Sequence, residues 1–136
     1  MATTFPVEVM TPDGAAYSGE VEMVSTRTVD GSLGIKANHE PLMAMLNPAE
    51  LRLHVDESDV VSFAQGEGYL QMANNQALLL VEEATPVAEL RLDDLNAKLE
   101  EATGRLESSE DGSAAHDLAE RDIHRIQRFI EIAESQ

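Results

Sequence analysis

From Phe5 to Glu82 apolar and polar residues alternate with a period of two, the pattern of strands that turn one face inward. The apolar members pair as Val7 with Val9, Val21 with Met23, and Leu51 with Leu53 and Val55. Val61 with Phe63, Leu70 with Met72 and Leu78 with Leu80 complete the set. Turn signals part these runs at Pro12-Asp13-Gly14, Asp30-Gly31, Gly66-Glu67-Gly68 and Asn74-Asn75, and their spacing suits successive hairpins better than helical crossovers. The expected fold is an antiparallel β-sandwich or flattened barrel over residues 1–84.

One stretch interrupts the alternation. Gly31 to Leu42 holds two glycines, an asparagine, a histidine and a proline, so its backbone is expected to turn sharply more than once. Gly34 and Asn38 tolerate positive φ, and Pro41 fixes its own φ while pushing Glu40 away from helix.

After Glu82 the period changes. Residues 85–89 read as a linker. Leu92, Leu95, Leu99, Ala102 and Leu106 then recur at steps of three and four, the spacing of a helical seam. Asp93 and Asp94 at its start suit the helix dipole. The run from Ser108 to Ser113 breaks the seam, and Ser113 is placed to cap a second helix from Ala114 to about Ala133. There Ala119, Ile123, Ile126, Ile130 and Ala133 repeat the seam. The class is α+β: a sandwich followed by an antiparallel two-helix hairpin over 90–136.

At 136 residues the chain suits one domain with a real core, or a small domain with an appendage. A net charge of −17 argues against nucleic acid and against an anionic membrane surface, since both need a basic footprint. A protein is the expected partner. The absence of cysteine excludes disulfides and thiolate ligands. No secretion signal and no apolar run of spanning length is read, so direct membrane insertion is not expected.

Candidate chemistry is sparse. His39, His54, His116 and His124 share no ligand spacing and are read as surface or structural residues, with no metal expected. No serine-hydrolase elbow or phosphate-binding loop occurs, so no catalytic residue and no cofactor is assigned. Arg121, Arg125 and Arg128 gather three of nine basic residues in a narrow arc of the second helix. They are expected to face away from its seam and from the first helix. From periodicity alone, an acidic adaptor or ligand-binding sandwich with a helical tail also fits.

Read as a string, the first half resembles the epsilon subunit of F-type ATP synthases. The matching pieces are Thr11-Pro12-Asp13-Gly14, Tyr17-Ser18-Gly19-Glu20-Val21, Gly31-Ser32-Leu33-Gly34-Ile35, His39-Glu40-Pro41-Leu42 and Gly68-Tyr69-Leu70-Gln71-Met72. The resemblance covers the sandwich closely and the hairpin in outline. Asn38 and Ala49 stand where the family commonly has glycine, and asparagine is the next most tolerant residue for positive φ.

The resemblance implies a non-catalytic rotor component that couples proton-driven rotation to ATP synthesis. Its sandwich would dock on the gamma subunit and on the c-subunit ring. Asp30, Gly31 and Ser32 match the ring-facing region, and His39, Glu40 and Pro41 the gamma-facing side. The hairpin would restrain ATP hydrolysis, with Arg121, Arg125 and Arg128 reaching the alpha and beta subunits of the catalytic head. A nucleotide motif of the family survives in part as Leu92, Asp93, Asn96 and Ala97. Asn96 replaces its arginine and removes a charge-assisted phosphate contact, so nucleotide binding is not expected. The implied location is peripheral, on the cytoplasmic face of a bacterial inner membrane or the stromal face of a thylakoid.

Overall fold

The computed structural model describes residues 3–136. The chain divides into two compact units, residues 1–86 and residues 87–136.

The first unit holds ten strands: β1 (Phe5–Thr11), β2 (Gly14–Val21), β3 (Met23–Thr28), β4 (Gly31–Lys36), β5 (Leu42–Leu46), β6 (Ala49–His54), β7 (Val60–Gln65), β8 (Gly68–Ala73), β9 (Gln76–Val81) and β10 (Ala84–Pro86). They hydrogen-bond in the order β10-β7-β6-β3-β5-β8-β9-β1-β2, with β4 on β3. Mid-path, β3 and β5 share one residue pair, Thr28 with Leu46, and the sheet folds over there. Its two halves close on a common core that includes Val9, Val24, Ile35, Leu53, Leu70 and Leu79. Each buried Leu, Ile or Val stabilises the fold by about 1.5–3 kcal/mol.

Four of the nine strand pairings are hairpins, β1/β2, β3/β4, β6/β7 and β8/β9. The other five join strands that do not follow one another in the chain, so the Gly66-Glu67-Gly68 turn leads from β7 to β8 without pairing them. The tips of β1/β2 and β3/β4 use one device. Thr11 and Thr28 each donate a hydroxyl to the carbonyl of the glycine three residues on, and each accepts the N–H of the intervening aspartate. Gly14 and Gly31, at φ 121° and 128°, sit where a side chain would be strained. Asn74 and Asn75, at φ 52° and 59°, form the tight β8/β9 turn.

Three expectations change. Gly31–Lys36 is a strand paired along its length with β3, so the chain turns only before and after it, and Gly34 is extended opposite Ser25. The β1/β9 pair is parallel, which successive hairpins do not produce. Leu78 and Leu80 face outward, while Ala77, Leu79 and Val81 are buried. Five consecutive apolar residues carry no phase of their own. The register to β8, Leu70 opposite Leu79 and Met72 opposite Ala77, sets it.

Over residues 85–89, read from the sequence as a linker, the chain finishes β10 against β7 and makes a 3-10 turn, Val87–Glu89. Two helices follow, α1 (Leu92–Glu107) and α2 (Ala114–Glu134). Ser113 caps α2, its hydroxyl accepting the N–H of His116 at 3.1 Å. The buried residues of α2 are Ala119, Ile126, Phe129 and Ile132, whereas Ile123, Ile130 and Ala133 are half-buried. Steps of three fall short of a full turn by about 60°, so the buried stripe drifts round the helix towards the arginine side.

Candidate functional site

The outer face of β5, β8 and β9 carries an apolar row. Met45 lies opposite Tyr69, and Tyr69 opposite Leu80, so all three project from the same side. They are exposed by 54%, 52% and 50%, and Met43 on the same face of β5 by 68%. Met10 of β1 is beside Leu80 in the parallel register. Large apolar side chains scattered singly are ordinary on a surface, but a contiguous row of them marks a contact site. The sequence hid this face because alternation identifies one buried side, and here both sides of β5 and β9 are apolar. Met43 and Met45, interleaved with Leu42, Ala44 and Leu46, were the available signal.

Asn38, His39, Glu40 and Pro41 form the turn leading into β5, and all four are exposed. Asn38 has φ 64°, as its asparagine predicts, and its N–H donates to Asn75 Oδ1 at 2.6 Å. His39 donates Nδ1–H to the carbonyl of Glu40 at 2.7 Å. The turn is thereby fixed at the end of the strand that supplies Met43 and Met45.

Asp30, Gly31 and Ser32 form the exposed tip of β3/β4, beside Val29 at 53% exposure. Behind the tip, Val29 N–H donates to Met45 carbonyl and Asn47 N–H to Arg27 carbonyl. Gln65, fully buried, donates its amide to the carbonyl of Asn47 at 2.8 Å. The tip is held by a hydrogen-bonded base.

The arginine cluster is not a uniform outward face. Arg121 is exposed, but Arg125 and Arg128 keep only 26% and 28% of side-chain exposure. Arg125 pairs with Asp122, Arg128 with Glu131, and Asp122 also binds Arg105 of α1 at 3.0 Å. Arg125 is therefore linked to the first helix, contrary to expectation, because the buried stripe drifts towards it. Burial pushes the Asp122 carboxyl up, but the bonds from Arg105 and Arg125 outweigh it and hold the carboxyl below its ordinary value.

Leu92, Asp93, Asn96 and Ala97 lie exposed in the first turns of α1. His124 is exposed, and His116 sits between Ser109 and Glu120 at 3.2 and 3.0 Å. Among the described residues no group of histidines and carboxylates has metal-binding geometry, and no helix is long and apolar enough to cross a membrane.

A family model for the ATP synthase delta/epsilon chain β-sandwich domain matches residues 4–87. The chain is 33% identical to the ATP synthase epsilon chain of Persephonella marina over 96% of its own length and 91% of that protein's. It belongs to the ATP synthase epsilon chain family. The epsilon chain of Halalkalibacterium halodurans is 32% identical, covering 96% of this chain and 97% of its own.

Two solved structures share the fold. One is a chain of the Euglena gracilis mitochondrial ATP synthase, in a structure of its OSCP, F1 and c-ring, with TM-score 0.78 and 19% identity over 94% of this chain and 80% of that one. The other is a chain of the Tetrahymena thermophila mitochondrial enzyme's central stalk and c-ring, with TM-score 0.66 and 16% identity over 97% and 98%.

Proposed function

We propose that this epsilon-family chain is a non-catalytic part of the synthase central stalk. It docks on the gamma subunit, stands on the c-subunit ring, and restrains ATP hydrolysis through its hairpin. The apolar row Met45–Tyr69–Leu80 carries the reading. Its members lie opposite one another across β5, β8 and β9, it continues from the His39–Pro41 turn, and its chemistry suits a protein partner that covers it permanently. Asp30, Gly31 and Ser32 are the ring-facing tip. Family membership supports both assignments, and a hydrogen-bonded base suits a tip that transmits force.

In this reading residues 1–84 are the docking domain, 85–89 the connection and 90–136 the regulatory hairpin. Arg121, Arg125 and Arg128 meet the alpha and beta subunits when the hairpin extends. Arg125 and Arg128 then exchange Asp122 and Glu131 for partners on the head. Opening the hairpin exposes Leu and Ile faces worth about 1.5–3 kcal/mol each, so extension is coupled to docking. Nucleotide binding at Leu92, Asp93, Asn96 and Ala97 is weak or absent, and millimolar ATP leaves the melting temperature unchanged. The site of action is the peripheral, cytoplasmic side of a bacterial membrane, or the stromal side in a plastid.

The test is reconstitution. The full chain copurifies with gamma and lowers hydrolysis by the catalytic head, whereas a chain ending near Ala88 copurifies without lowering it. A full chain that ignores gamma contradicts the reading.

A further inference from the structure

Strand β2 is the free margin of the sheet half that carries the apolar row. It ends the hydrogen-bonded order, and among the described residues it pairs with β1 alone. Two other margins are guarded. β10 is three residues long and ends in Pro86, and β4 ends in Lys36, devices that discourage a further strand. β2 has eight residues, no lysine, no proline and one charge, Glu20.

The pairing with β1 shows which backbone groups of β2 are turned outward. Pro6 has no N–H, so its pair with Glu20 is of the non-hydrogen-bonded kind. The bonded pairs are therefore Phe5 with Val21, Val7 with Gly19 and Val9 with Tyr17, and Ser18 and Glu20 direct their N–H and C=O groups away from β1. Both residues are exposed, and among the described residues no other backbone group bonds to theirs. A bulge at Ala16, between the pairs Val9 with Tyr17 and Met10 with Ala15, bends the start of β2 and confines the regular edge to residues 17–21.

Two observations select what this edge takes. The apolar row reaches it without a break: Met45, Tyr69, Leu80, Met10 and Ala15 stand opposite one another in turn. A partner lying along the row therefore arrives at β2. Secondly, Glu8 and Glu20 are the only charged residues in the five strands of this half. Glu8 lies opposite Ser18 and Glu20 opposite Pro6, so both acids project from the outer side, as Met10 does. A basic side chain set against them gains an opposite charge and meets no competing cation on these strands.

We propose that β2 accepts an extended segment of the partner that covers the row, as a further strand with a Lys or Arg set against Glu20. The inference rests on the docking reading above, in which that partner is gamma. The segment bonds to the N–H and C=O groups of Ser18 and Glu20, and its alternate side chains fall on the outer face beside the row. The sheet then continues from one subunit into the next.

The test is amide hydrogen exchange, read residue by residue on the full chain alone and in its complex with gamma. In the free chain the amides of Ser18 and Glu20 exchange fast, while those of Tyr17 and Gly19, bonded to β1, are protected. In the complex Ser18 and Glu20 slow by at least about 100-fold. Ser18→Pro removes an N–H that β1 does not use and keeps the wild-type circular dichroism spectrum. It weakens gamma binding by at least about tenfold, and Glu20→Gln weakens it several-fold at low salt. The exchange result decides alone should the proline variant not fold.

A complex in which both amides exchange as in the free chain overturns the inference and leaves the docking reading intact. A chain that forms no complex with gamma fails that reading and the inference together. Protection that appears in the chain alone as its concentration rises gives the edge to a second copy and also overturns the inference.

Discussion

Asn38 and Asn75, thirty-seven positions apart, are joined by a hydrogen bond from the backbone of one to the side chain of the other, and both hold left-handed backbones at φ 64° and 59°. The bond ties the turn before β5 to the tip of the β8/β9 hairpin. Asn75→Gly keeps the backbone and loses the bond, costing about 1 kcal/mol. Asn75→Ala loses both, costing about 2 kcal/mol or more. Urea denaturation of the two variants checks the order; equal stability for both would remove the backbone contribution.

Gly68 and Gly104 should respond oppositely to alanine. A Cβ on Gly68 would lie 2.0 Å from the carbonyl oxygen of Leu80 and 2.7 Å from Cα of Val81, so two strand backbones must part. Gly68→Ala is expected to cost about 3 kcal/mol or more. A Cβ on Gly104 meets nothing within 4 Å, and Gly104→Ala within α1 is expected to stabilise that helix by about 1 kcal/mol. Thermal melts with helical and β readouts separate the two.

The hairpin should weaken in acid through Asp122. Its folded carboxyl lies below the ordinary value, so its contribution is complete above the unfolded pKa of about 4 and fades as pH falls through the folded value. The Asp122→Asn variant lacks that contribution at every pH. Wild type is therefore more stable than the variant at neutral pH, by under about 1 kcal/mol for a pair this accessible, and the difference narrows in strong acid. Helicity followed against urea at several pH values checks the sign; a gap that widens in acid contradicts it.

Turn chemistry was the most legible part of this chain. Thr11 to Gly14, Asp30-Gly31, Asn74-Asn75 and the Ser113 cap are local devices whose residue types state their geometry, and the structure places each as expected. Long-range facts were not legible. The phase of Leu78 and Leu80 depends on β8, the parallel partner of β1 lies some seventy residues downstream, and the burial of Phe129 and Ile132 follows a drift that a seam counted on isoleucines misses. The tip at Asp30 and the turn at His39 could be named from family likeness. The apolar row could not, because it is assembled by register across strands distant in sequence.

The central claim is that gamma covers the outer face of β5, β8 and β9. Tyr69 and Leu80 are exposed by about half, so the Y69D/L80D double variant should fold with the wild-type circular dichroism spectrum. Titration calorimetry against purified gamma should give tight binding for the wild type. The double variant should bind at least about 100-fold more weakly, or some 3 kcal/mol. A folded double variant that binds gamma as the wild type does would contradict the account.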